Sequence, residues 1–229
     1  MALMELNTFD HVALWTSERD ALARILVDCC DMHEIERTDR FTLVGGDARR
    51  GKLTLFDADG PREAGVLERV VLRSADPEGV RERLESVGIA TRANGMIHAT
   101  LPSELSLGIV EGVEGEAVDL DHVVLRVPDP SATAAGLEEL GLERSGTELH
   151  VADKQVVLHE GEVVEPERPL LNHLAFLVDT AGDIALEARS RGIEIDDVVD
   201  APNTRAVFLS GPDGIRLEYV EHKRSFSLT

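Results

Sequence analysis

Lysine is almost missing from this chain. Only Lys52, Lys154 and Lys223 occur, and 44 acidic residues face 23 basic ones, a net charge of −21. That balance excludes a surface built to hold nucleic acid or an anionic membrane. No apolar run approaches the roughly 20 residues a membrane helix needs. The opening stretch MALMELNTFDHVALW lacks the basic start and apolar core of a signal peptide, so a cytoplasmic location is expected. There are two cysteines, Cys29 and Cys30, side by side. This excludes a disulfide framework, and both read as reduced core residues. Aromatic residues make up 3% of the chain, little material for a ring-stacking pocket. What is present suffices for a core: 43% of the residues are apolar, which excludes disorder. The acid-rich, lysine-poor composition suggests a halophilic protein whose self-repulsion is screened by salt.

The chain contains an internal repeat. Four segments open alike: Phe9-Asp-His-Val-Ala-Leu, Leu67-Glu-Arg-Val-Val-Leu, Leu120-Asp-His-Val-Val-Leu and Leu171-Asn-His-Leu-Ala-Phe. Each is a short strand pattern with a charged or imidazole residue in third place. Each is followed by a helix-start signal, such as Ser74-Ala-Asp-Pro or Pro128-Asp-Pro-Ser. Gly88, Gly141 and Gly192 suit left-handed helix caps. Short strands close each unit, most clearly Ala206-Val-Phe-Leu-Ser, a Gly-Pro-Asp-Gly turn, and Ile215-Arg-Leu-Glu-Tyr-Val. The fold expected is therefore α+β, four βαβββ modules paired into two cup-shaped sheets. Pairing neighbours gives residues 1–116 and 117–229 as two similar halves, with a boundary at 112–115.

The third positions of the opening strands hold His11, Arg69, His122 and His173. Residues of one parity share a face of a strand, so in paired modules these side chains meet. In the last strand Glu218 occupies the place that Gly108 holds in the second module. The second half thus offers His122, His173 and Glu218, a two-histidine, one-carboxylate set suited to a divalent metal with open positions. Iron(II) fits best, and manganese, zinc, cobalt or nickel could use the same donors. The first half, with Arg69 and Gly108, reads as a degenerate copy without metal.

These strands and the terminal Gly-Pro-Asp-Gly-Ile-Arg-Leu-Glu-Tyr resemble the vicinal oxygen chelate superfamily over essentially the whole chain. That group includes glyoxalase I, fosfomycin and bleomycin resistance proteins, methylmalonyl-CoA epimerase and extradiol ring-cleavage dioxygenases. The single chain of four modules looks most like the type I extradiol enzymes, with a metal-free first half. The resemblance implies that His122, His173 and Glu218 hold iron, that the substrate is a catechol-like diol, and that oxygen is the co-substrate. It also implies a small-molecule enzyme forming a homo-oligomer. The sequence departs from the family at the acid–base positions: Val156 stands where a histidine is usual, and Phe208 about where a tyrosine is. Val156, Arg205 and Phe208 then line the substrate pocket, and His150 or His159 are the candidates to replace the missing catalytic groups. The alternatives are a glyoxalase- or epimerase-type lyase or isomerase, or a binding protein without turnover.

Overall fold

The computed structural model describes residues 5–49, 51–112, 115–163 and 166–228. All four modules form as the repeat predicts. The first holds β1 (Thr8–Thr16), α1 (Arg19–Cys29), β2 (His33–Arg37), β3 (Phe41–Gly45) and β4 (Lys52–Asp57). The second holds β5 (Leu67–Ser74), α2 (Pro77–Ser86), β6 (Thr91–Ala93), β7 (Ile97–Thr100) and β8 (Ser106–Glu111). The third holds β9 (Val118–Val127), α3 (Pro130–Glu139), β10 (Glu143–Ser145), β11 (Glu148–Val151) and β12 (Lys154–Glu160). The fourth holds β13 (Leu171–Leu177), α4 (Ala181–Arg191), β14 (Ile195–Asp200), β15 (Thr204–Ser210) and β16 (Arg216–His222).

Local chemistry sets the helix ends. Asp76 caps α2 by accepting from the Gly79 N–H, and Asp129 caps α3 by accepting from Ser131 and Ala132. A proline follows each cap, where its missing N–H costs nothing. Gly192 closes α4 with φ +70, a conformation that penalises any Cβ.

The sheets do not follow the halves of the sequence. One eight-stranded sheet runs β14-β15-β16-β13-β1-β4-β3-β2, and the other runs β10-β11-β12-β9-β5-β8-β7-β6. The first and fourth modules therefore share a sheet, as do the second and third. The expected division into 1–116 and 117–229 gives way to this arrangement. Residues 113–114 of the expected boundary lie outside the described residues, but the strands on either side, β8 and β9, belong to one sheet. The sheet change falls instead after β4 and again after β12. These two crossings run side by side: Glu63 N–H donates to the Arg168 carbonyl (3.0 Å), and Leu170 N–H to the Glu63 carbonyl (2.7 Å).

One continuous apolar cluster lies behind both sheets. On β1, β13 and β16 it takes Val12, Leu14, Leu174, Phe176, Leu217 and Tyr219. The intervening residues point to the opposite, open face, as period-two alternation requires. The sheets approach closely at Gly51, where φ is +55 and an added Cβ would stand 2.7 Å from the Asp119 Cα. Cys29 and Cys30 are free and buried, and burial pushes the Cys30 thiol up to about 12. No helix among the described residues is long and apolar enough to cross a membrane.

Candidate metal centre

Because β1 pairs with β13, the histidine beside His173 is His11 and not His122. The antiparallel register sets Ala13 opposite His173 and Ala175 opposite His11, so the two imidazoles lie diagonally across the strand pair. β16 runs parallel to β13 and places Glu218 beside Ala175. The His11 and His173 Nε2 atoms stand 3.2 Å apart. The Glu218 Oε2 lies 3.2 Å from the first and 2.8 Å from the second. His11 is 9% exposed, His173 3% and Glu218 8%, so water screens these atoms poorly.

Both rings are held from behind. The His11 Nδ1 faces Asp10 Oδ2 at 2.9 Å, and the His173 Nδ1 faces Asn172 Oδ1 at 3.0 Å. Neither oxygen can donate, Asp10 being ionised, so each Nδ1 carries the proton. Each Nε2 is then turned toward the carboxylate, donating to it when protonated and free to bind a metal when not. Once the His11 Nε2 proton is displaced, three donor atoms in a dry site converge on one point, which suits a cation between them. With bonds of ~2.1 Å, the edges of an octahedral face measure ~3.0 Å and those of a tetrahedron ~3.4 Å. The observed edges of 3.2, 3.2 and 2.8 Å fall around the first value and below the second. The donor set, its spacing and the orienting oxygens therefore fit a divalent metal, and this is the one such group among the described residues.

Without metal, a proton on His11 takes the cation's place. Burial opposes charge on His11, but Asp10 and Glu218 outweigh it and raise its pKa from the ordinary 6.5 to about 9. Burial would raise the Glu218 carboxyl, yet His173 and His11 hold it far below the usual range. Burial lowers His173, against the pull of Glu218. Burial would likewise raise Asp10, but Lys52 (2.8 Å) and His11 keep it ionised.

His173 and Glu218 thus stand together as the repeat implied, whereas His122 belongs to the other sheet. Its strand pairs with β5 and β12, and its Nδ1 is bound to Asp121. The first and third modules open with the same Asp-His-Val motif, so either could have supplied the second imidazole; the pairing decides it. The expectation of a metal-free first half falls with it, since His11 comes from the first module. His150 and His159 are on β11 and β12 of the second sheet and are not in the centre. Val156 is core, 1% exposed. Arg205 reaches Asp200 (3.5 Å) and has the strand parity opposite to Phe208.

Phe208 does line the centre, its ring 5.2 Å from that of His173 and nearly perpendicular. Phe56 stands 6.3 Å away, and Trp15 and Phe41 pack against Phe56. Four of the scarce aromatics, Phe208, Phe56, Trp15 and Phe41, are therefore gathered around this centre. All eight fall in the first and fourth modules and none in the second and third. That segregation was readable in the sequence and is the signal that would have paired the modules correctly. His222 was also missed as a neighbour; its Nε2 lies 3.5 Å from Asp10 and its ring stacks on Phe226.

Residues 119–219 match the model of the Glyoxalase/Bleomycin resistance protein/Dioxygenase superfamily. The chain has the glyoxalase-superfamily fold. Among solved structures, a Bacillus subtilis protein whose assignment as a dioxygenase is itself provisional superposes with a TM-score of 0.78 at 17% identity, covering 97% of this chain and 87% of that one. Glyoxalase I from Zea mays gives a TM-score of 0.73 at 16% identity, covering 93% and 92%. The cppA protein of Streptococcus pneumoniae gives 0.65 at 14% identity, covering 94% and 98%. At these identities the likeness carries the fold alone. No curated protein matches the sequence.

Proposed function

We propose that this chain is a divalent-metal enzyme of the ring-cleaving dioxygenase type, with iron(II) as its metal and a small aromatic diol as its substrate. The observation that supports this most is the number of donors. His11, His173 and Glu218 would hold the metal from one side, and the register of β4 sets Thr54 opposite Ala13, where a fourth carboxylate or imidazole would have to stand. Three positions are then left for a chelating diol and oxygen. Bound there, a redox-active metal supplies Lewis-acid activation and a path for electrons. The protein supplies the rest. Asp10 and Asn172 fix the imidazoles. Phe208, Phe56 and Trp15 give a planar ring an apolar wall and exclude water. Arg216 lies over Phe208, 4.1 Å from its centroid, and holds it in place.

A second reading, a metal-dependent lyase or isomerase, has its own support. Among the described residues the rings against His173 are His11, Phe56 and Phe208. No tyrosine or further histidine joins them to move a proton. In that reading Glu218 is both ligand and base. The deciding test reconstitutes the protein anaerobically with iron(II), then with cobalt(II) or nickel(II), and follows oxygen uptake on adding catechols. Uptake with iron and a yellow product supports ring cleavage. Tight metal binding without uptake refutes it and moves the activity to the second reading, or to ligand binding without turnover if no product forms from any substrate.

A further inference from the structure

The second sheet repeats the register of the metal centre with its charges inverted. Val124 lies opposite Arg69 and Val71 opposite His122, as Ala13 lies opposite His173 and Ala175 opposite His11. Arg69 and His122 therefore stand as the two histidine ligands do. The position of Glu218 is taken by Gly108, which pairs with Val71 as Glu218 pairs with Ala175. The position of Thr54 is taken by Val157. One cationic ligand-place has become a guanidinium, and the carboxylate has gone. The Arg69 side chain occupies the vacated space: its Cδ lies 3.1 Å from where a Gly108 Cβ would be. His98, cross-strand from Gly108, feels the Arg69 charge, and Gln155 stands beside His122.

The Arg69 guanidinium is poorly compensated. The Arg69 Nε is buried without a hydrogen-bond partner. Its nearest carboxylate, Glu68, is 3.9 Å away and already engaged by Arg126 (2.6 Å) and His159 (3.1 Å). Asp121 is committed to the His122 Nδ1. A buried unsatisfied donor calls for an ion or water to complete it, and in a chain of net charge −21 a guanidinium whose nearest carboxylate is 3.9 Å away and shared is weakly held.

We infer that Arg69, His122 and His98 form an anion site that takes the carboxylate or phosphate group of a small molecule, on the sheet opposite the metal centre. Arg69 provides the planar fork that matches two oxygens, and His122 and Gln155 provide further hydrogen bonds. The inference stands apart from the proposed reaction, since it uses none of the metal ligands.

The test is an NMR titration of the whole zinc-loaded chain with inorganic phosphate and, separately, with acetate, reading the imidazole resonances. The site requires saturable shifts of His122 and His98 and at least a tenfold loss of affinity in Arg69→Gln, with metal affinity unchanged. If Arg69→Gln fails to fold, Arg69→Lys keeps the charge without the fork and should weaken binding several-fold. Saturation by phosphate alone marks a phosphate ligand, and saturation by both marks a carboxylate-tolerant site. Shifts that stay linear, or affinity equal to wild type in the Arg69 variants, would show that Arg69 merely fills the space beside Gly108 and would overturn the inference.

Discussion

Replacing His11 by alanine tests the pairing of the modules and the metal centre together. It removes one corner of the triangle and leaves the His173 Nε2 and Glu218 Oε2, 2.8 Å apart, as the remaining donors. Loss of an orienting partner alone typically costs ~10–100-fold in metal affinity. Loss of a direct donor must cost at least the upper end, about 100-fold or ~2.7 kcal/mol. His122→Ala is the matched control, since it removes the same group from the same strand motif on the other sheet. It should change affinity by less than about twofold, ~0.4 kcal/mol. Cobalt(II) is a suitable probe, titrated anaerobically in high salt and followed by its visible absorption. The His11 variant should need about a hundredfold more metal to saturate, and the control should overlay the wild type. The opposite pattern, with His122 essential and His11 dispensable, would refute the centre described here. Equal losses in both would mean that neither strand pairing accounts for the site.

Asp10→Asn should weaken metal binding by about 10–100-fold, because the His11 ring loses its anionic partner. It should also destabilise the fold by about 3–5 kcal/mol, since Lys52, 3% exposed, is left as an unpaired buried charge; urea unfolding of the metal-free protein reads this directly. Metal-free protein should lose stability between pH 6.5 and about 9. His11 binds its proton more tightly folded than unfolded, so its contribution is complete below 6.5 and vanishes as the pH rises through the folded value. The gap in Tm between metal-loaded and metal-free protein should therefore widen across that window; a constant gap would contradict the raised pKa. Raising KCl from ~0.1 to ~1 M shortens the screening length from ~10 to ~3 Å and should raise Tm, and a flat or falling Tm would remove the case for salt adaptation.

Most of the fold was legible because the repeat is written in residues that a strand and a helix start both need. The opening strands, the Asp-Pro helix starts and the glycine caps all landed where the pattern put them. The module pairing was not legible from the same pattern. Four opening strands with one design can pair in more than one order, and sequence adjacency favoured the wrong one. His173 and Glu218 were found because they come from one module and their relation is local. His11 was assigned to the wrong cup because its relation to them is set by strand order, a global property. The low aromatic content misled for a similar reason: an average over the chain hides that the few rings are concentrated in two modules.

The centre also imposes an order on folding. His11 and His173 are 162 residues apart along the chain, and Glu218 is farther still. During synthesis the first module emerges with β1 as an unpaired edge, since its partner β13 belongs to the last module. The second and third modules can complete their sheet while the first waits. Metal can be captured with all three ligands only after β16 has left the ribosome. On the proposed reading the cation enters as the final act of assembly, and any shortening that removes the last strand takes Glu218 from the centre.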